Sequence, residues 1–119
     1  MNDSILTSIK LMLGITEEYE HFDAVIIMHI NSVFMTLNQL GVGPKAGFSI
    51  RDKTTTWSDY LGDKSKLEAV KSYMQLKVRL LLDPPLSSVV MDCMNRQVSE
   101  YEWRLNVAAE TPQQGGDSK

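Results

Sequence analysis

The sequence predicts an all-α domain, a small bundle of about four helices with one long inter-helix loop. Three observations predict it. Long stretches set apolar residues three and four positions apart, the spacing that lines one face of a helix. Those stretches end at glycine or proline, which stop helices. Hydrophobic residues make up 43% and charged residues 23% of the 119-residue chain. That is an ordinary globular mix, and a chain of this length can bury a core without disulfides or a metal.

The first helix is short. Ile5, Leu6, Ile9 and Leu13 share a face, Asp3 or Ser4 can cap the start, and Gly14 fits the end. The second helix carries the strongest pattern, with Phe22, Ile26, Ile30, Val33, Leu37 and Leu40 on one side and Ile27 and Phe34 widening it. Acids crowd its beginning, where the helix dipole favours negative charge. Gly41 and Gly43-Pro44 stop it.

Residues 41–62 do not read as regular helix and form the long loop. Phe48-Ser49-Ile50 and Thr54-Thr55-Thr56 suit a short β-hairpin, and Trp57 to Leu61 suits one helical turn. Loops this long inside a small domain are uncommon and often functional. Ser65 and Glu68 have the spacing of a capping box ahead of Leu67, Val70, Met74, Val78 and Leu81. Asp83-Pro84-Pro85 ends that helix, since neither proline can continue it. The last helix runs from about Ser87 to Ala109, with Val90, Met94, Val98, Tyr101, Leu105 and Ala108 on its stripe and Trp103 off it. The Pro-Pro turn is short enough to make these two helices antiparallel. Residues 1–109 form the helical domain, and 110–119 form a polar tail with little to bury. The expected core is Ile26, Ile30, Val33, Leu37, Val70, Met74, Val78, Met94, Val98 and Leu105.

The net charge of −3 is unevenly spread. Residues 1–44 hold one cation, Lys10, and five acids, whereas residues 45–79 hold eight cations and four acids. An acidic start (Glu17, Glu18, Glu20) and a basic middle (Lys64, Lys66, Lys71) can meet between subunits, or can equally be solvated faces. In the glycine-rich loop, Phe48, Ile50, Trp57 and Tyr60 are candidate partner contacts. With the tail, the loop is expected to be mobile in a free subunit and ordered by a partner, unless these side chains simply fold back over the bundle.

Reaction chemistry is not expected. The run Gly41 to Gly47 follows a helix rather than a strand and lacks the Gly-Lys-Ser/Thr ending of a phosphate loop. His21 and His29, eight positions apart, point about 80° away from each other on a helix. Cys93 has no companion motif and is expected to pack. No catalytic, cofactor or metal residue is assigned. A lone cysteine excludes an intramolecular disulfide and suits a reducing cytosol. Met1-Asn2-Asp3-Ser4 lacks the basic start of a secretory signal, and no apolar run approaches membrane-spanning length.

Several stretches also resemble a known family. They are Ile26-Ile27-Met28-His29-Ile30-Asn31-Ser32-Val33-Phe34 with the Gly-Val-Gly after it, and Leu67-Glu68-Ala69-Val70-Lys71-Ser72-Tyr73. With them go Leu76-Lys77-Val78-Arg79-Leu80-Leu81-Leu82-Asp83-Pro84-Pro85 and Glu102-Trp103-Arg104-Leu105-Asn106. Together they resemble the small head–tail connector, or head-completion adaptor, proteins of long-tailed bacteriophages and prophages, over roughly residues 5–108. The resemblance implies a helical virion protein without enzymatic activity or cofactor, made in the host cytoplasm and placed in the neck. It implies a homo-oligomeric ring, commonly a dodecamer, that meets the portal protein on one side and the next neck, stopper or tail protein on the other. DNA would pass through without sequence readout, and no membrane is involved. The alternative is a small helical DNA-binding or regulatory protein using Lys64, Lys66, Lys71, Lys77 and Arg79 on phosphates. Negative net charge and the lack of helix-turn-helix spacing count against it.

Overall fold

Ser4 opens the first helix. In the computed structural model, which describes residues 4–62 and 64–110 (backbone only for Lys64, Ser65 and Glu110), its hydroxyl accepts from the Thr7 N–H at 3.2 Å. Helix α1 runs Ile5–Met12. It closes on Gly14, whose φ of +83° is cheap only for glycine. The N–H of Gly14 then reaches the Leu11 carbonyl, and that of Ile15 reaches Lys10. The same closure ends α2 (Asp23–Gln39): Gly41 has φ +88°, its N–H bonds to Asn38, and the Val42 N–H bonds to Leu37. These paired bonds satisfy carbonyls that a helix end leaves open, and the buried Val42 packs on as its apolar companion.

The loop holds one helical turn, α3 (Trp57–Tyr60), rather than a hairpin, and no strand forms among the described residues. Its capping box uses Thr56 and Asp59, each accepting from the other's N–H. Helix α4 spans Lys64–Leu82 and α5 spans Ser88–Glu110, with the Ser87 hydroxyl accepting from the Val90 N–H at 3.3 Å. α4 runs from Lys64, and the Ser65 side chain of the expected capping box lies outside the described residues. The expected tail, beyond Glu110, lies outside the described residues.

Helix α4 is central. It packs against α2 on one side and α5 on another, and α1 leans on both α2 and α4. Phe22, Leu13 and Ile15 line a cavity with Arg79, Leu82 and Asp83, so α2 starts where α4 ends. At the other end Asn106 of α5 donates to the Leu40 carbonyl at 3.3 Å, bringing the ends of α5 and α2 together. All ten expected core residues are buried. Tyr73 joins them from α4, donating its hydroxyl to Glu102 of α5 at 2.7 Å. Burial and that carboxylate hold its phenol well above the ordinary tyrosine range, so it stays a neutral donor.

Candidate functional site

Glycine content alone predicts a mobile loop over 41–62, but the neighbouring elements hold it. Asn38 of α2 donates to the carbonyls of Pro44 at 3.0 Å and Lys45 at 3.3 Å. Asn31 grips the Ile50 peptide from both sides, accepting its N–H at 2.8 Å and donating to its carbonyl at 3.0 Å. Ser4 and Thr56 form an isolated antiparallel bridge, and the Ile5 N–H donates to the Thr55 carbonyl at 3.1 Å. Side chains complete the attachment. Phe34 of α2, Phe48 and Tyr60 form a triangle of rings with centroids 4.6–5.1 Å apart. The Tyr60 hydroxyl reaches back to the Val42 carbonyl at 3.4 Å.

These side chains fold back over the bundle. Ile50, Trp57 and Tyr60 are core residues, and Phe48 is half-buried. Their apolar surface stabilises the chain itself, the usual fate of large side chains under a long loop. Phe48 alone of the four keeps substantial outer surface.

The Asn31 clamp gives a direct test. Replacing Asn31 with Ala leaves both polar groups of the Ile50 peptide without their partner, a cost of about 1–3 kcal/mol. Asn31→Ala is expected to speed amide exchange at Ile50 well beyond that at Val33 or Leu37. Unchanged Ile50 protection would mean that the aromatic triangle holds the loop without the clamp.

The charged candidates fall at opposite ends. Glu17, Glu18 and Glu20 are exposed in the connection from α1 to α2, beside the end of α4. Lys66 is half-buried in the first turn of α4, at the far end, and the Lys64 side chain is outside the description. Lys71 is engaged within the chain, 3.9 Å from Glu68 and with its ammonium 5.6 Å from the centre of the Trp57 ring. Glu20 shares a recess with Arg51, Asp52 and Lys53 of the loop rather than with Lys66 or Lys71. Lys10, the single cation of residues 1–44, is buried to 2% exposure. It donates to the Glu17 carbonyl at 3.0 Å and lies 2.8 Å from Asp23 Oδ1, tying the connection to the start of α2. Its partners are seven and thirteen positions away, which no helical spacing signals.

Among the described residues no three His, Cys, Asp or Glu side chains are grouped to hold a metal, and no helix is long and apolar enough to cross a membrane. His21 stacks edge-on against Phe22 at 4.8 Å, while His29 sits half-buried on α2. Cys93 is exposed on α5, not packed as expected, because the α5 stripe through Met94 and Val98 faces α4 and turns Cys93 outward.

Sequence reasoning missed the exposed apolar surface. Val25, Met28 and Met35 lie outward on α2, and Leu86, Val89 and Val90 lie outward where α5 begins. A signal was present: the chain has no Asp, Glu, Lys or Arg from Ala24 through Pro44, and none from Pro84 through Met91. A helix exposed to water on one side normally carries charge there. Trp103 is also exposed, on the outer side of α5.

The model of the phage connector protein family matches residues 5–112. No curated protein and no solved structure matches the chain.

Proposed function

Because the chain belongs to the phage connector protein family, we propose that it is a head–tail adaptor that forms a ring beneath the portal, extends the DNA channel and docks the next neck or tail component. The family match over residues 5–112 carries this reading. A connector's role is structural, and its mechanism is geometric. One face of a subunit meets a different face of the next, and the contact closes after a fixed number of rotations. DNA passes through the opening without being read.

The charge distribution supports a head-to-tail contact. Glu17, Glu18 and Glu20 stand at one end of the subunit and Lys66, with Lys64 beside it in sequence, at the other. Lys71, held against Glu68 and Trp57, would contribute less. Of the loop residues, Phe48 offers surface to a partner while Ile50, Trp57 and Tyr60 hold the loop in shape.

Two measurements test this reading. Particles produced without the chain are expected to yield DNA-filled heads that fail to join tails; normal tailed particles would overturn the adaptor role. Rings of the purified chain, counted by electron microscopy, are expected to thin out as salt rises from about 0.1 M to about 1 M, which cuts the screening length from about 10 Å to about 3 Å. Lys66→Glu should block rings at low salt, and adding Glu17→Lys to the same chain should restore them. Rings indifferent to both changes would remove the electrostatic seam.

A further inference from the structure

We propose that the tip of the α4–α5 hairpin, Leu86 and Val89, seats in the groove between Met35 and Phe48 of a second copy of this chain. This rests on the ring reading and specifies the surfaces that would close it.

The tip is an odd feature for water to face. Pro84 and Pro85 force α4 to stop and turn, and Leu86 then stands as exposed as in an open chain. Val89 follows at 75% exposure. No charge interrupts Pro84 through Met91, but aspartates border the stretch on both sides, Asp83 and Asp92, both exposed.

The groove lies on the other flank of α4. Its walls are the outer side of α2 and the loop: Phe34, Met35, Asn38 and Gln39 on one side, Gly47 and Phe48 on the other, around a space of about 260 Å³. Met35 is 67% exposed. No ionisable side chain lines the groove, and exposed Lys45 stands next to it in the loop, its backbone held by Asn38. An apolar tip bordered by two aspartates therefore meets an uncharged groove that offers Met35 and Phe48 and is bordered by a lysine.

Position sets aside the other recess. The space lined by Leu13, Ile15, Phe22, Arg79, Leu82 and Asp83 lies at the tip's own end of the subunit. Seating the tip there would pair like ends of two copies instead of making the head-to-tail contact that a ring needs. Because tip and groove occupy different flanks, the contact is head-to-tail, which is what a ring needs. It also runs in the same sense as the proposed charge seam: the end of one copy holding Glu17 and the tip approaches the end of the next holding Lys66 and the groove.

The contact is tested by cross-linking the full chain. Cys93 is first replaced, Cys93→Ser, because it is exposed and would react. Met35→Cys and Leu86→Cys are then added together, and mild oxidation is applied to the purified chain and to particles that contain it. The expected result is a ladder of covalent multimers up to ring size from the double variant, with at most a dimer from either single variant. A complementary arm uses charge. Lys45→Asp should weaken association about tenfold, as loss of a favourable contact worth roughly 1.4 kcal/mol does, and adding Asp92→Lys to that chain should recover most of it. Circular dichroism checks that each variant is folded. Particles that carry the double-cysteine chain but yield only monomer overturn the contact and leave the ring standing. A chain that never enters particles overturns the adaptor reading itself. Long open filaments bearing the cross-link would confirm the contact while showing that its rotation does not close.

Discussion

Trp57→Ala is expected to cost about 3–5 kcal/mol of stability, the range for deleting a large aromatic side chain from a core. Trp57 is fully buried, the largest such side chain among the described residues. It sits in α3, which Thr56 and Asp59 cap and the Ser4–Thr56 bridge ties to the start of α1. Removing the indole therefore opens a void where the loop, α1 and α4 converge, and it strips Lys71 of the ring beneath its ammonium. Domains of this kind hold about 5–15 kcal/mol in total, so a large share of the stability would go at once. Trp57→Phe separates the contributions. The Trp57 Nε1–H is buried without a hydrogen-bond partner among the described residues. Phenylalanine discards that unsatisfied donor and keeps most of the apolar contact, so its cost should be near 1 kcal/mol. Urea unfolding followed by circular dichroism measures both. A Trp57→Ala midpoint close to wild type would show that the loop closes over the gap, and that Trp57 is not the loop's main support.

Helical periodicity made the bundle legible and left the loop largely dark. The stripes through Ile26, Ile30, Val70, Met74, Val98 and Leu105 pointed to the core because a repeat of three and four residues has one consequence on a helix. The same stripes overran at their ends. Phe22, Leu81 and Val90 are exposed because no neighbour extends past the last turns to cover them. In the loop, the β-branched Thr54-Thr55-Thr56 run suited a hairpin while Trp57 to Leu61 suited a helical turn. The turn formed because Thr56 and Asp59 cap each other and Trp57 and Tyr60 gain burial on one side of it. The Thr56–Asp59 capping box was not read from the sequence, where the threonine run pointed to a strand. Asn31 gripping Ile50, Asn106 meeting Leu40 and Lys10 buried beside Asp23 all depend on how separate segments dock. The uncharged runs at 24–44 and 84–91 were readable, but only the structure showed that part of each faces outward.

Gly43→Ala is expected to be the most damaging exchange of a single methyl group in the loop, about 2–5 kcal/mol. Two costs add. Gly43 has φ +89°, a conformation that charges an L-residue roughly 1–2 kcal/mol. A Cβ at this position would also lie 2.6 Å from a ring carbon of Tyr60 and 2.8 Å from its hydroxyl oxygen. The ring cannot step aside easily, since Phe34 and Phe48 flank it and its hydroxyl is placed toward the Val42 carbonyl. Forcing a methyl into a packed site of this kind typically adds 1–3 kcal/mol. Gly14→Ala supplies the control. Its φ is +83° with nothing within 4 Å of the added Cβ, so it should pay the backbone cost alone. The difference between the two variants in a thermal or urea melt reads the steric part, and it should shrink in a Tyr60→Leu background, where the facing side chain is smaller and flexible. Equal losses for Gly43→Ala and Gly14→Ala would mean that Tyr60 is free to move, and that the aromatic triangle does not hold the loop rigidly against α2.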